Sequence, residues 1–107
     1  MVARGDLIWA DLGPPAGRTP VCVLTRDAAI EVLAALTCAP ITRTIRQIRS
    51  EVEIGFEEGL PEACVINCDN LVTVPKLELE PQSVGSLGLT KRTLLDRALR
   101  YALDIQY

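Results

Sequence analysis

The chain has 107 residues, of which 49% are hydrophobic and 23% charged, and its formal net charge is −3. This length and composition fit one globular domain with a single core, spanning residues 1–107. The absence of histidine excludes serine–histidine–aspartate and cysteine–histidine catalysis and any two-histidine nuclease. No apolar run approaches the roughly 20 residues that span a bilayer, and the first residues lack the apolar segment of a secretory signal. We therefore expect a cytoplasmic protein with no membrane partner.

The first half of the chain predicts three strands, over Leu7–Leu12, Pro20–Thr25 and Leu36 to about Thr42. Two prolines and two glycines favour a loop over residues 13–17, and Asp27–Ile30 fits a helical turn. Residues 31–37 fit either helix or strand. Because Pro40 argues against a long helix, we favour the strand.

The second half predicts further strands over Ser50–Ile54, Ala63–Asn67 and Asn70–Val74, and an extended segment over Lys76–Gln82. Ser50–Ile54 alternates polar and apolar residues, which is typical of a half-buried strand. A turn-rich connector occupies residues 55–61. These short strands, separated by turns, indicate a small barrel or curled sheet.

A helix closes the chain. Thr90 fits an N-cap, and Leu89 and Leu94 occupy the positions of a hydrophobic staple. One apolar face follows at helical spacing: Leu94, Leu95, Ala98, Leu99, Ala102 and Leu103. The sequence therefore predicts a mostly β fold with one C-terminal helix laid on the sheet.

Four cysteines lie among apolar residues, at Cys22, Cys38, Cys64 and Cys68. Buried thiols in a reducing compartment explain this pattern. A zinc site would need close cysteine pairs and usually histidine. Here the two nearest cysteines, Cys64 and Cys68, are four positions apart, and the chain has no histidine. We expect neither a metal nor a cofactor.

Four stretches of the chain carry a resemblance to a known family: Arg4–Leu12, Arg18–Asp27, Ile41–Glu53 and Cys64–Leu71. The first is similar to an opening Arg-Gly-Asp/Glu strand that ends in Asp-Leu/Phe, and the second to an Arg-Pro-Val strand. The third is similar to a strand that ends in a functional threonine and a basic loop. The fourth is similar to a hydrophobic strand followed by Asn/Asp-x-Asp/Glu-Gln/Asn. In this order, with the closing helix, they resemble the MazF/PemK family of toxins over nearly the whole chain.

The resemblance implies an SH3-like β-barrel of the CcdB/PemK type with a C-terminal helix. It also implies a homodimer that is the toxin of a type II toxin–antitoxin system and an mRNA interferase, an endoribonuclease that cuts single-stranded RNA at short sequences. A cognate MazE-like antitoxin, whose flexible acidic tail covers the RNA groove, is the implied partner.

The resemblance assigns the catalytic roles to Arg18 and Thr42. The family usually places the arginine directly before the proline, whereas Thr19 separates Arg18 from Pro20 here. An inserted residue turns a side chain to the other face of a strand, although in a loop or bulge it need not. The loop before Arg18 also lacks the Ser-Glu-Gln-type segment of the family. Arg26 is the nearest spare arginine.

RNA supplies its own nucleophile, because the 2′-OH attacks the adjacent phosphorus and expels the 5′-oxygen, leaving a 2′,3′-cyclic phosphate. The enzyme aligns the 2′-OH and stabilises charge on the phosphoryl oxygens, and no metal is needed. Arginine binds phosphate oxygens through its planar fork but stays protonated. We therefore assign Arg18 to charge stabilisation and proton delivery, and Thr42 to a hydrogen bond with a phosphoryl oxygen.

Five further residues are candidates for RNA binding. Arg43 and Arg46 lie in a basic stretch that suits flanking phosphates, although the net charge of −3 is unlike that of a general nucleic-acid binder. Asn67 and Asn70 offer donors and acceptors to base edges, and Trp9 suits base stacking. Each has a structural alternative as well: a solvated loop for the arginines, turns for the asparagines, and core or interface for the tryptophan.

Two other functions stay open on the same fold. One is a non-catalytic CcdB-like gyrase inhibitor or antitoxin-binding protein, which the shifted Arg18 leaves open. The other is an SH3-like module for proline-rich peptides, which needs a groove lined with aromatic side chains. With one tryptophan, one phenylalanine and two tyrosines, such a groove is hard to build.

Overall fold

A computed structural model describes residues 2–106 and shows a mostly antiparallel β fold with one long helix. The strands are β1 (Asp6–Asp11), β2 (Arg18–Val23), β3 (Ala35–Thr42), β4 (Glu51–Ile54), β5 (Cys64–Asn67), β6 (Val72–Pro75) and β7 (Leu79–Ser86). The helices are α1 (Asp27–Ile30) and α2 (Leu89–Ala102), and 3₁₀ turns lie at Phe56–Glu58 and Lys76–Glu78. The predicted mostly β class with a C-terminal helix is confirmed.

The strands form one sheet in the order β4-β5-β3-β2-β1-β7, and β6 also pairs with β3. β3 is the centre of this arrangement. Its first half, Ala35–Cys38, pairs with β6, whereas Ile41 and Thr42 pair with β5. The sheet therefore changes direction along β3 and follows an open path, with β4 and β7 at its two ends.

Two apolar clusters pack on opposite faces of the β1–β2 hairpin. Because successive strand residues point to opposite faces, Leu7 and its partner Cys22 lie in one cluster, and Ile8 and its partner Val21 lie in the other. The first cluster continues to Leu95 of α2. Burial on both faces explains why β1 and β2 have nearly continuous apolar sequences.

The long helix begins earlier than the sequence predicts. Gly88 is the N-cap, and the N–H of Arg92 donates to its carbonyl oxygen at 2.9 Å. The predicted cap at Thr90 and the predicted staple are therefore wrong, since Leu89 is 82% exposed. The reason is that the buried Leu87 donates its N–H to the carbonyl of Gly5, which anchors the chain just before the helix.

The apolar face of α2 is narrower than predicted. Leu95 and Ala98 are buried, and Leu99 and Ala102 pack against the same cluster. The remaining two members of the predicted face are more exposed, Leu94 at 39% and Leu103 at 53%.

The extended segment predicted over Lys76–Gln82 begins with a 3₁₀ turn and then becomes β7, which continues to Ser86. The helical turn at Asp27–Ile30 is confirmed as α1. No helix within residues 2–106 is both long and apolar enough to cross a membrane.

All four cysteines are buried and free, as the sequence predicts. Desolvation raises the pKa of Cys22 and of Cys38 to about 12 and that of Cys68 to about 11. These thiols therefore stay protonated near neutral pH and act as small apolar core residues. Across residues 2–106, no three His, Cys, Asp or Glu side chains cluster as metal ligands would.

Candidate active site

A cleft of about 470 Å³ opens where the β1–β2 hairpin, the end of β3 and the segment before β5 meet. Its lining residues are Trp9, Arg18, Thr19, Pro20, Ile41, Thr42, Arg43, Leu60, Pro61, Glu62 and Cys64. The structure thus brings both residues that the resemblance assigns to catalysis, Arg18 and Thr42, to one concave surface. A larger groove of about 860 Å³ between β4 and α2 is lined by neither of them.

Arg18 is the first residue of β2 and pairs with Asp11 of β1, two positions along from the pair Pro20–Trp9. Since strand side chains alternate, Arg18 shares a face of β2 with Pro20. Despite the additional residue, Thr19, between Arg18 and Pro20, Arg18 lies beside Trp9 and lines the cleft.

The alternative arginine lies elsewhere. Arg26 is the N-cap residue of α1 and lines a separate groove with residues of the α2 end, among them Leu103. Of the two arginines considered for the catalytic role, Arg18 is thus the one that shares a cleft with Thr42.

The Arg18 guanidinium is held by two neighbours. Its Cζ lies 4.0 Å from the centroid of the Trp9 ring, which is a cation–π geometry. Its Nε and Nη2 donate to the carboxylate oxygens of Glu80 at 2.5 and 3.0 Å. This bidentate hydrogen bond lowers the pKa of Glu80 and raises that of Arg18, so both groups stay charged.

Thr42 ends β3, opposite Val65 of β5, and is half-buried. Its Oγ1 accepts a hydrogen bond of 3.2 Å from the backbone N–H of Thr44. That bond uses a lone pair and leaves the hydroxyl proton as a donor. Thr42 is thus fixed in place and retains a donor for an anionic oxygen.

The basic stretch, which comprises Arg43, Arg46 and Arg49, is divided among three surfaces. Arg43 lines the cleft and pairs with Glu62 at 3.5 Å. Arg46 instead donates to Glu51, from its backbone N–H at 2.9 Å and from Nε at 3.1 Å. Arg49 stacks on Tyr101, 4.3 Å from the ring centroid, in the groove between β4 and α2.

Asn67 and Asn70 do not line the cleft. Asn67 ends β5, and its Oδ1 accepts a hydrogen bond of 2.9 Å from the N–H of Asp69, as in an Asx turn. Asn70 is exposed. The structure therefore gathers Trp9, Arg18, Thr42 and Arg43 and leaves out both asparagines and Arg46, whose RNA-binding roles stay predictions.

Sequence reasoning missed Glu80 and the cleft wall formed by Leu60, Pro61 and Glu62. Glu80 lies 62 positions from Arg18 along the chain, and no local pattern links the two. The only signal is the alternation of glutamates and leucines over residues 77–80, which predicts an extended segment and not its partner.

Comparison with known proteins agrees with this fold. The family described as "PemK-like, MazF-like toxin of type II toxin-antitoxin system" matches residues 3–103. "Endoribonuclease MazF3" of Mycobacterium tuberculosis is 35% identical over 88 residues, which cover 82% of this chain and 84% of the relative.

Solved structures agree as well. The Mycobacterium tuberculosis toxin MazF-mt6 superposes with a TM-score of 0.88 at 31% identity, covering 95% of this chain and 99% of that one. A mycobacterial endoribonuclease in complex with its cognate antitoxin gives a TM-score of 0.87 at 26% identity, covering 100% and 99%. These structures define a class of small curled-sheet toxins. The chain belongs to the PemK-like, MazF-like family of type II toxin–antitoxin toxins.

Proposed function

We propose that this toxin is a cytoplasmic, sequence-specific endoribonuclease that cleaves single-stranded RNA in the cleft of Arg18 and Thr42, by attack of the 2′-OH on the adjacent phosphorus. The observation that carries the proposal is that these two residues, from different strands, line the same cleft. The relatives named endoribonucleases support the reaction class.

The cleft chemistry suits a reaction that needs no metal. The N–H groups of Arg18 that Glu80 does not occupy bind the phosphoryl oxygens as negative charge develops. The Thr42 hydroxyl donates to a second phosphoryl oxygen and fixes the phosphorus for in-line attack. Arg43 at the rim binds a flanking phosphate.

We also propose two partners. An acidic antitoxin segment suits a cleft with Arg18 and Arg43 at its rim, and one structural relative is in complex with its cognate antitoxin. A second copy of the chain would cover large apolar side chains that are exposed near the C-terminus, Tyr101, Leu103 and Ile105. Light scattering after size exclusion tests the dimer against a monomer of 11.6 kDa.

The test of the activity is cleavage of a long single-stranded RNA in EDTA. Wild type should leave 2′,3′-cyclic phosphate ends, and Arg18→Ala should lower the rate by about 100-fold or more, as loss of a charge-stabilising donor does. Thr42→Ala should lower it similarly, whereas Thr42→Ser keeps the hydroxyl and retains most activity. Arg26→Ala removes an exposed arginine outside the cleft and serves as the matched control.

The outcomes separate the alternatives. Cleavage that stops in EDTA contradicts the metal-free mechanism. A silent Arg26→Ala variant beside an active Arg18→Ala variant moves the catalytic role to Arg26. A folded wild type that cuts no RNA leaves the binding-only toxin as the function.

A further inference from the structure

Glu80 is the one partner of the Arg18 guanidinium that comes from outside the cleft lining. Its carboxylate takes the Nε–H and one Nη2–H, which leaves both Nη1–H groups and the second Nη2–H of Arg18 without that partner. The guanidinium also lies over the Trp9 ring, with its Cζ 4.0 Å from the ring centroid. Arg18 is thus clamped at one edge and keeps a free edge that fits two phosphate oxygens.

The backbone of β7 is shaped to deliver this carboxylate. Ile8 of β1 pairs with Ser83 of β7, and Ala10 pairs with Leu79. Two steps along β1 therefore correspond to four steps along β7. The two extra residues lie within residues 80–82, so Glu80 falls in an irregular, bulge-like stretch of β7. Bulges re-aim side chains, often next to active sites.

Stability alone does not account for the clamp. Both side chains of the pair are largely exposed, at 59% for Arg18 and 40% for Glu80, and exposed ion pairs contribute little to folding. A flexible arginine would instead lose much of its value in catalysis, because the donors must already be in place when charge develops.

We propose that Glu80 is a positioning residue for RNA cleavage, which holds Arg18 over Trp9 with its Nη1–Nη2 edge ready for the scissile phosphate. The proposal rests on the proposed function. It differs from a competitive role, in which Glu80 would occupy the donors that the phosphate needs and would slow the reaction.

The clamp is tested first without RNA. Trp9 is the single tryptophan, so its fluorescence reports the stacked guanidinium. Glu80→Ala and Arg18→Ala should shift the emission by the same amount, and the double variant should add nothing further. Glu78→Ala, an exposed glutamate two residues away, is the control and should leave the emission unchanged. An Arg18→Ala shift that Glu80→Ala does not reproduce overturns the clamp.

Cleavage kinetics test the positioning role. Glu80→Ala should lower kcat roughly tenfold with KM nearly unchanged, because small misplacements at a reacting centre cost up to about 100-fold. Glu80→Asp keeps the carboxylate and should recover part of the loss, and Glu80→Ala should have no effect once Arg18 is alanine.

Other results overturn the proposal in distinguishable ways. A rise in kcat/KM for Glu80→Ala indicates competition, and an unchanged kcat indicates an ordinary surface ion pair. In both cases the proposed function stands. A wild type that cuts no RNA removes the proposed function and the positioning role together, whatever the fluorescence shows.

Discussion

The contact between Gly85 of β7 and the 3₁₀ turn at Phe56–Glu58 makes one substitution especially informative. A Cβ added at Gly85 would lie 2.0 Å from the carbonyl oxygen of Glu58 and 2.9 Å from its carbonyl carbon. On the other side of the same contact, Gly59 has φ +92° and its Cβ would lie 2.5 Å from the carbonyl oxygen of Val84. The two segments therefore meet backbone to backbone, and Gly85→Ala must force them apart.

The size of the effect follows from this geometry. Since Cβ atoms essentially never approach other atoms closer than 3.0 Å, the segments must separate by about 1 Å, at the upper end of overpacking costs of about 1–3 kcal/mol. We expect the free energy of unfolding to fall by about 3 kcal/mol, which is a large part of the 5–15 kcal/mol typical of a domain. The turn leads into Leu60, Pro61 and Glu62 of the cleft wall, so RNA cleavage should fall too.

Urea denaturation followed by circular dichroism measures this change, with the m-value expected to stay constant. Gly88→Ala is the matched control, because its Cβ would meet nothing within 4 Å and its φ of −76° suits any residue. As an N-cap change it should cost less than about 1 kcal/mol. Equal stabilities of the two variants would refute the argument from backbone contact.

Four further predictions follow from packing, burial and charge. Leu95→Ala should lower the free energy of unfolding by about 3 kcal/mol, because Leu95 is fully buried in the cluster beneath α2. Urea denaturation measures this change, and an effect below about 1 kcal/mol would contradict that packing. A thiol reagent should not label Cys22, Cys38 or Cys68 in the native protein within minutes, because these thiols are buried and burial raises their pKa values. All three should react in denaturant, and fast native labelling of any of them would contradict the burial. Because Arg18 lowers the pKa of Glu80, the pair adds a small stabilisation above the ordinary glutamate pKa of 4.5, which is lost as pH falls through the folded-state pKa. The small stability difference between wild type and Glu80→Gln should therefore be present at about pH 7 and vanish in acid. A difference independent of pH would refute this linkage. RNA affinity should depend weakly on salt, with a slope of log K against log salt of about −1.4 for the two cleft arginines, measured by fluorescence anisotropy; a slope several-fold steeper would show additional phosphate contacts.

Much of the fold was predictable because its signals are local. Continuous apolar runs identify β1 and β2, which are buried on both faces, and helical spacing identifies the face of α2 that carries Leu95 and Ala98. The family resemblance added the pairing of Arg18 with Thr42, which no local pattern contains. The cleft that joins them is consistent with that expectation, and their catalytic roles stay predictions.

Features that depend on contacts far apart in the chain were not predictable. The helix begins at Leu89 because Gly5 anchors Leu87, and Thr90 alone gave a misleading cap signal. The sequence predicts an extended segment only to Gln82, whereas β7 continues to Ser86. The register of β7 on β1 shifts twice, which interrupts the alternation of inward and outward side chains that marks a strand. The basic stretch divides partly because Arg43 pairs with Glu62 and Arg49 packs on Tyr101, and both of these partners are distant in the chain.

The arginines of the cleft explain how a chain of net charge −3 can work on a polyanion. Arg18 is paired with Glu80 and Arg43 with Glu62, so neither adds much to a long-range positive field. Each paired arginine still has N–H donors that its carboxylate does not use. Such an arginine offers hydrogen bonds in a fixed position, and it adds little long-range electrostatic attraction. Under the proposed function, recognition would then depend on how an RNA segment fits between Trp9, Arg18 and Thr42, which favours selection of short sequences over general binding to nucleic acid.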